Sequence, residues 1–350
     1  DNIGDGGEQL DPPIKSLFVY NSDIANCTPN SGNVRKGMSK DDIFIAVHDT
    51  FWTDSCMYAD IVLPADTALE RTDCHWAYGS WYLGINKPVI EPQGESIRNT
   101  ELFRMLADKM GYVDSTDNAF TQTDEEIIKD ILLEAENEDG ERFNCLTEGI
   151  NYDDVVKNGW ARASTNSKRR DFLNNGWGTP SGKIEIKCEA ITAEYPDVSP
   201  FPEYVPEIKG QYDPSKSKYP IQVLSSASHY FIGDSFQSVP RLQAMQSRPT
   251  VEMSVSDAKE RNVKDGDLVR IYNEQGETYC YAVIIDGLLD GVCATQKQFK
   301  GSNTPNGLNV NNLNSEMLTD FGKSPTFYSV LAEIEKASEE MSNKAIKQGA

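Results

Sequence analysis

The fold is decided by residues 16–49, which read SLFVYNSDIANCTPNSGNVRKGMSKDDIFIAVHD. This stretch holds two dense apolar runs, SLFVYN (16–21) and DDIFIAVHD (41–49), joined by a connection with room for one or two turns of helix. Continuous apolar runs with such a connection are typical of parallel strands that are buried on both faces. A third short strand is predicted at ADIVLP (59–64), where Pro64 would end it. The opening part of the chain is therefore expected to be an α/β layer.

Two helices are predicted after this layer. Thr100 can cap a helix over residues 101–110, and Gly111 can end it. Thr123 and Glu126 form a T-x-x-E capping box at the start of the second helix. Both patterns indicate packing rather than a binding site.

The chain then becomes irregular. The basic cluster SKRR (167–170) is typical of a solvated face, although the protein is otherwise acidic. Residues 195–220 are rich in proline and lack periodicity, which predicts a linker or crossover.

The residue pattern of the last 130 residues indicates β-structure. Strands are predicted at IQVLSS (221–226) and GVCATQ (291–296), and a hairpin is predicted from DLVRIYN (267–273) and TYCYAVIID (278–286). The segment 324–344 favours helix by propensity, but its first half could equally close a sheet. The second half of the chain is therefore expected to be a small β-barrel with few helices.

Charge and composition exclude several classes of partner. The chain has 33 Lys and Arg against 55 Asp and Glu, a net charge of −22, so nucleic acid and anionic membranes are not expected partners. No apolar run reaches the length of a membrane span, so direct membrane insertion is not expected. The seven cysteines form no CxxC pair and are expected to be free thiols in a reducing, cytoplasmic compartment. The chain opens at DNIGDGGEQL without Met, so it is expected to lack an upstream part, where an export leader could lie.

Short motifs do not identify an activity. The GDGG stretch (4–7) lacks the spacing of a dinucleotide fingerprint, and FGKSP (321–325) lacks the first glycine of a phosphate loop. The chain has no GxSxG, so a hydrolase is unsupported, and its three histidines stand too far apart for a helix-borne zinc site. The N-C-T pattern at Asn26 fits a glycosylation site but has no secretory context.

Longer blocks resemble one enzyme family, the molybdopterin oxidoreductases of the dimethyl-sulfoxide-reductase and formate-dehydrogenase type. These blocks follow the family's order and cover most of residues 16–335. The blocks are HDTFWTDSCMYADIVLPADTALE (48–70), KPVIEPQGESIRNTELFRMLADKMGY (87–112), TPSGKIEIKCE (179–189), YPIQVLSSASHY (219–230), AKERNVKDGDLVRIYNEQGE (258–277) and NVNNLNSEMLTDFGKSPTFYSVLAEIE (309–335).

The resemblance implies a fold and a cofactor. It implies a Rossmann-like α/β parallel-sheet domain (1–200), of which about 113–200 would pack on a missing domain, and a mainly-β, six-stranded double-psi β-barrel that binds the dinucleotide (201–350). The cofactor would be two molybdopterin guanine dinucleotides around molybdenum or tungsten, shared with missing N-terminal domains. No position here matches the family's metal ligand or its iron–sulfur cysteines, so this chain alone is not expected to catalyse. An iron–sulfur electron-transfer subunit would be a further partner.

The resemblance also assigns residues in the α/β layer. Asp49 ends the second strand, where a carboxylate could accept hydrogen bonds from N1–H and N2–H₂ of guanine. Thr53 could bond the ribose or phosphate while capping a short helix through Tyr58. Asn21 and Asp23 close the first strand and would face the same crevice. Glu70 is a further candidate, and capping alone is the alternative for Asp49 and Thr53.

In the barrel the resemblance places further cofactor contacts in loops that follow strands. His229 would donate to a phosphate or the pterin, Lys323 would be a phosphate cation, and loop stabilisation is the alternative role. The full set of barrel candidates is Ser226, Ser228, His229, Tyr230, Gln296, Asn311, Lys323 and Tyr328.

Two other functions compete with a cofactor-binding enzyme part. One is a structural subunit of a respiratory or redox complex that has the family's fold but no cofactor. The other, a nicotinamide dehydrogenase, lacks its glycine fingerprint in this chain.

Overall fold

The computed structural model of the protein describes residues 10–113, 120–132, 150–162, 176–207, 209–320 and 322–343. The basic cluster at 167–170 lies outside the described residues. The chain forms two compact units, one of residues 1–63 with 206–350 and the other of residues 64–205. The division of family domains at residue 200 stays a prediction.

The strands and α-helices with defined bounds in the described residues are as follows. The strands are β1 (Ser16–Tyr20), β2 (Phe44–Asp49), β3 (Ile61–Pro64), β4 (Asp73–Trp76), β5 (Tyr82–Asn86), β6 (Trp160–Arg162), β7 (Ile221–Ser226), β8 (Thr250–Ser254), β9 (Leu268–Tyr272), β10 (Glu277–Ile285), β11 (Val292–Gln296) and β12 (Leu331–Lys336). The helices are α1 (Ile24–Cys27), α2 (Ser31–Met38), α3 (Asn99–Met110), α4 (Asp124–Leu132), α5 (Tyr152–Asn158), α6 (Glu189–Glu194), α7 (Pro240–Met245) and α8 (Val255–Glu260). Short 3₁₀ turns lie at Asp54–Tyr58, Pro214–Ser217, Gly301–Asn303 and Val310–Leu313.

The first unit begins with the predicted parallel strands. β1 and β2 pair in parallel from Ser16 with Phe44 to Tyr20 with His48, and β3 lies on the other side of β2. Val19, Ile45 and Val47 are buried between this sheet and the short helices α1 and α2. Burial on both faces was predicted, but on the other face Tyr20 and Phe44 are 48% and 46% exposed, so this part of the prediction is wrong.

The same unit contains a closed barrel with the strand order β10-β8-β11-β7-β12-β9. β7 with β11 and β8 with β10 are parallel pairs, and the predicted β9–β10 hairpin is antiparallel. The ambiguous segment 324–344 contributes β12, which pairs with both β7 and β9 and so closes the barrel. Burial decides against helix here, because Val330, Ala332 and Ile334, which alternate along the chain as in a strand, all lie in the barrel core.

The second unit is built on an antiparallel sheet with the order β4-β5-β6. Its inner face packs Leu83 and Ile85 against Ile128 and Leu132 of α4 and Val155 of α5. Helices therefore cover one face of this sheet, the usual way to bury a three-stranded sheet.

The structure confirms one predicted cap and corrects the other. The backbone N–H of Thr123 donates to Glu126 Oε2 at 2.7 Å, and the Glu126 N–H donates to Thr123 Oγ1 at 3.3 Å, so the capping box exists. The prediction that Thr100 caps α3 is wrong, because the helix begins at Asn99 and Arg98 occupies the N-cap position. Gly111 ends α3 in a left-handed conformation as predicted, with φ of 76°.

Within the described ranges, no helix has both the length and the apolar character to span a bilayer.

Candidate functional site

The carboxyl edge of the β1–β2 sheet brings two of the predicted residues together. Tyr20 pairs with His48, so the next residues, Asn21 and Asp49, leave the sheet side by side. The backbone N–H of Asn21 donates to the His48 carbonyl at 3.2 Å, and Asn21 is exposed with a left-handed φ of 50°. Ligands of open α/β sheets bind at this edge, so both side chains are in a suitable place for binding.

Asp49 keeps a hydrogen-bonding oxygen available. Its Oδ1 accepts from the backbone N–H of Phe51 at 3.0 Å, and its side chain is half-buried. Oδ2 has no hydrogen-bond partner among the described residues. The carboxylate is thus fixed by one bond and can accept from a ligand with the other oxygen.

Both carboxylate oxygens of Asp23, in contrast, accept hydrogen bonds from within the protein. Its Oδ1 accepts from the N–H and the hydroxyl of Ser55 at 2.9 and 2.6 Å, and its Oδ2 accepts from the N–H of Asp54 at 3.2 Å. Asp23 is 3% exposed, and this burial raises the pKa of its carboxyl above the ordinary value, against the hydrogen bond from Ser55 that lowers it. Asp23 therefore caps the 3₁₀ turn at Asp54–Tyr58.

Thr53 stands at the N-cap position of that turn, but its side chain makes no capping hydrogen bond. Its hydroxyl lies 3.4 Å from Cys56 Sγ, a weak contact that leaves the hydroxyl able to bind elsewhere. The turn exists as predicted, whereas the prediction that Thr53 caps it is wrong, because Asp23 from the β1 side supplies the acceptors.

A network of buried asparagines joins the sheet layer to the barrel loops. Asn26 is fully buried; its Oδ1 accepts from Gly301 N–H at 3.0 Å and from Asn309 Nδ2 at 2.6 Å. The predicted site residue Asn311 donates its Nδ2 to the Asn26 carbonyl at 2.9 Å and is 1% exposed. The N-C-T pattern is therefore inaccessible to a glycosyltransferase in the folded protein, and Asn311 already has an internal partner.

In the barrel, two predicted residues meet across the parallel pair β7–β11, where Ser226 is in register with Gln296. Gln296 uses both amide atoms on one neighbour: Oε1 accepts from the Thr250 N–H at 2.9 Å, and Nε2 donates to Thr250 Oγ1 at 2.7 Å. The Ser226 hydroxyl makes only a long bond of 3.4 Å to the Thr295 carbonyl. Of this pair, Ser226 has the freer side chain.

The loop after β7 presents the other candidates. The Ser228 hydroxyl donates to Gln246 Oε1 at 2.5 Å. His229 is exposed and meets the half-buried Tyr230 edge-on, with 4.8 Å between ring centroids. Neither the imidazole nor the phenol has a hydrogen-bond partner among the described residues, so both can reach a ligand.

Lys323 and Tyr328 lie in the segment before β12. Lys323 is exposed and has a left-handed φ of 47°. The Tyr328 carbonyl accepts from Gln222 Nε2 at 2.8 Å, which places Tyr328 beside the amino end of β7. Ser226 ends the same strand, roughly 13 Å further along at the usual rise per residue. Tyr328 and Ser226 therefore flank opposite ends of one strand.

Glu70 belongs to the second unit and is satisfied internally. Its carboxylate accepts from the backbone N–H groups of Thr67 and Gln93, each at 2.6 Å, and it is 3% exposed. Hydrogen bonding from Thr67 lowers the pKa of Glu70 below its ordinary value. These bonds hold a turn and a loop together and leave little capacity for a ligand.

The second unit also contains an open cavity of about 660 Å³. Arg98 and Arg104 line it, but both are already paired with the carboxylate of Asp124. No predicted site residue lines this cavity, so we do not assign it to the candidate site.

Two residues that hold the barrel loops could not be identified from the sequence. Gln237 is 1% exposed and bridges the loops after β7 and β11. Lys300 Nζ donates to the Trp52 carbonyl at 3.1 Å and so joins the loop after β11 to the segment after β2. Neither residue belongs to a recognisable motif, and only the contacts between distant segments identify them.

In a comparison with known proteins, two family models match this chain, one over the region that contains the β1–β2 sheet and one over most of the barrel. Residues 8–109 match the model described as molybdopterin oxidoreductase, and residues 221–331 match the molydopterin dinucleotide binding domain. Together these matches cover more than half of the chain.

Individual proteins agree with these matches. The chain is 33% identical to the probable oxidoreductase YoaE of Bacillus subtilis over 94% of its own length and 45% of that protein. It is 28% identical to the dimethyl sulfoxide reductase DmsA of Escherichia coli, over 83% of this chain and 37% of that protein. A solved structure, acetylene hydratase from Pelobacter acetylenicus, superposes with a TM-score of 0.72 at 20% identity, over 93% of this chain and 44% of that one.

The last match shows the fold alone, and the chain spans less than half the length of each of these proteins. The sheet with Asp49 at its edge lies inside the first matched region, and the second contains the barrel strands β7–β11 with the loops between them. The chain therefore belongs to the molybdopterin oxidoreductase family, together with the dimethyl sulfoxide and trimethylamine N-oxide reductases.

Proposed function

We propose that this chain is the cofactor-binding, C-terminal part of a molybdenum or tungsten oxidoreductase that holds two molybdopterin guanine dinucleotides. The observation that carries the proposal is Asp49, whose Oδ2 has no partner among the described residues and lies at the carboxyl edge of a parallel sheet inside a molybdopterin family match. The family match implies a molybdopterin cofactor. The guanine form, the two copies and the metal are the proposed part.

The described residues fit such a cofactor. A guanine edge offers N–H donors, and Asp49 offers a fixed carboxylate with an open acceptor. A phosphate needs donors, and the exposed His229 and Lys323 are donors without a partner in the described part of the chain. Buried polar groups such as Asp23 and Asn311 already have hydrogen-bond partners inside the protein. The groups without a partner among the described residues are an acceptor for guanine and donors for phosphate, which are the groups that this cofactor needs.

Each residue would have a separate task. Asp49 would bind and orient the base, and the neighbouring Asn21 amide could bond the ribose. Ser226 and His229 would contact the second dinucleotide at the end of β7, where the hydroxyl and imidazole are free to donate. Bound between these groups, the cofactor would supply a metal centre for two-electron redox chemistry.

The finer fold assignment belongs to the same proposal. The parallel sheet with β1 and β2 would be a Rossmann-like layer, and the barrel would be of the double-psi type. Two parallel pairs, β7–β11 and β8–β10, within one closed six-stranded barrel support the latter assignment.

The metal ligand is proposed to come from another part of the enzyme. The chain corresponds to 45% of YoaE and 37% of DmsA, so these relatives have further regions that could supply it. An iron–sulfur cluster in those further regions and an electron-transfer subunit are proposed on the same resemblance, and a cytoplasmic location is proposed from the absence of CxxC pairs in the sequence. On this view the chain contributes to cofactor binding but does not turn over substrate by itself.

The proposal is tested with the enzyme that contains this chain together with its remaining domains, purified from a host that makes the cofactor. Elemental analysis should find molybdenum or tungsten, and oxidative release should give a fluorescent pterin and GMP. Absence of metal, pterin and GMP from folded protein would refute the proposal and favour a cofactor-less structural subunit.

A variant at the base site sharpens the test. Asp49→Asn replaces the open acceptor by a donor that faces the guanine N–H groups, so it should lower pterin retention roughly ten-fold or more. Asp41→Asn is the matched control, because Asp41 is exposed and precedes the same strand. Equal retention in both variants would remove Asp49 from the site.

A further inference from the structure

Two loops at the carboxyl ends of parallel strands are tied together by one buried glutamine. The loops follow β7 and β11 and include residues 227–237 and 297–300. Gln237 Nε2 donates to the Gly233 carbonyl at 2.8 Å and to the Gln298 carbonyl at 2.7 Å. Its Oε1 accepts from the Lys300 N–H at 2.6 Å. One side chain therefore holds both loops by three hydrogen bonds.

The chemistry of these bonds requires an amide. A primary amide has two N–H donors and one carbonyl acceptor, and Gln237 uses all three functions while only 1% exposed. An ionised carboxylate of the same shape could still accept from Lys300 but would donate to neither carbonyl. A protonated carboxyl group would regain one donor.

The backbone around this bridge is held in unfavourable conformations. Phe236 and Gln298 have left-handed φ values of 70° and 53°, which bulky and non-glycine residues rarely adopt. Gly233 has φ of 61°, and a Cβ at that position would overlap Gln298 Oε1. Such conformations persist only where the surroundings fix them, and they concentrate at binding sites.

Free polar groups extend from the loops that Gln237 fixes. His229 is exposed in the first loop, and Lys297 follows β11 in the second, with its backbone N–H on the Ser226 carbonyl at 2.8 Å. The Lys297 ammonium has no partner among the described residues. An imidazole and an ammonium presented by two joined loops are the donors that a pyrophosphate accepts.

We propose that Gln237 is a positioning residue for the dinucleotide phosphates, and that Lys297 is a phosphate-binding cation of the same site. This inference rests on the proposed function. Gln237 does not touch the ligand; it holds the two loops so that His229 and Lys297 converge on it.

The decisive variant is Gln237→Glu. We expect pterin retention after gel filtration to fall roughly ten-fold relative to wild type at pH 9, the usual size of an effect from a residue that orients a ligand-binding group. Because burial raises the pKa of a carboxyl group, we expect Glu at this position to take up a proton on acidification to pH 6, and retention relative to wild type should then recover several-fold. Lys297→Ala should lower retention at both pH values, and Lys297→Arg should restore it.

Gln222→Glu is the matched control, since Gln222 makes a comparable bond to a carbonyl at the opposite end of β7. This variant should retain pterin as the wild type does at both pH values. The thermal midpoint of each cofactor-free variant shows whether the barrel is folded.

Three outcomes contradict the inference in distinguishable ways. Wild-type protein that takes up no pterin refutes the proposed function and the inference with it. Equal retention by wild type and Gln237→Glu at pH 9 refutes the inference alone. A loss that acid does not reverse, with a lowered thermal midpoint, identifies Gln237 as a fold residue only.

Discussion

Asp23→Ala separates a structural carboxylate from a binding one. Sequence resemblance places Asp23 in the cofactor site, but the structure shows its carboxylate capping the 3₁₀ turn at Asp54–Tyr58. We therefore expect this variant to lose stability, and to lose cofactor only to the extent that the fold is lost.

The magnitude follows from the donors left behind. Removing the carboxylate strands the backbone N–H groups of Asp54 and Ser55, which are 5% and 0% exposed. Each buried unpaired donor costs about 1–3 kcal/mol. Removing a buried carboxylate offsets part of this cost, so we expect a loss of about 2 kcal/mol in the free energy of unfolding at neutral pH.

The pH dependence has a definite sign. Burial raises the pKa of Asp23 in the folded state above its unfolded value. The folded state therefore holds the proton more tightly, and the stability that Asp23 contributes is full below about pH 3.8 and falls as the pH rises through the folded-state pKa. The difference between wild type and Asp23→Ala should be larger in acid than at neutral pH.

Urea unfolding followed by circular dichroism, between pH 4 and pH 7, measures the stability difference, and released pterin is assayed on the same preparations. Asp49→Ala is the matched comparison, because its half-buried side chain accepts one N–H only. It should lose less than about 1 kcal/mol of stability but much of its pterin. The reasoning fails if Asp23→Ala unfolds like wild type, or if it loses pterin at full stability.

Two further variants and one labelling experiment test the packing, a helix cap and the accessibility of the cysteines. Gly301→Ala should destabilise the protein by about 1–3 kcal/mol in urea unfolding, since its Cβ would lie 2.5 Å from the carbonyl oxygen of Gly307. Gly178→Ala should not, because its Cβ would meet none of the described residues within 4 Å. Thr123→Ala removes one half of a capping box and should cost about 1 kcal/mol, and a thermal midpoint equal to wild type would contradict the cap. Cys280 is buried and its pKa is raised to about 12, chiefly by desolvation, so mass spectrometry after native alkylation should find Cys188 modified and Cys280 intact.

The strands were largely predictable because their apolar runs carry a local signal. The β9–β10 hairpin and the parallel β1–β2 pair follow directly from periodicity and connection length. The state of β12 was not predictable from its own residues, since propensity favoured helix and the strand forms only because β7 and β9 need a partner between them. The predicted start of α3 was two residues too late, because the sequence alone does not tell which of several nearby residues will occupy the N-cap position.

Site residues were predictable by location and not by contact. The end of β2 correctly indicated the sheet edge, and Asp49 with Asn21 indeed lies there. Yet Asp23 and Gln296 look equally suitable in sequence, and each turns out to be paired inside the protein. Whether a polar side chain is open to a ligand depends on partners tens or hundreds of residues away, and a single sequence does not contain that information.

The asparagine network has a consequence for how the protein is made. Asn26 and Asn309 are 283 residues apart in the chain, and the bond between them is buried. At usual synthesis rates of about 5–20 residues per second, the first segment waits roughly 15–60 s for its partner to leave the ribosome. During that interval the side chain of Asn26 lacks the partner that it has in the folded protein, so the segment around Asn26 cannot complete its structure until residue 309 has been synthesised. Slow synthesis of the middle region would prolong that interval, and a destabilising change near Asn309 would show itself first as a lower yield of folded protein.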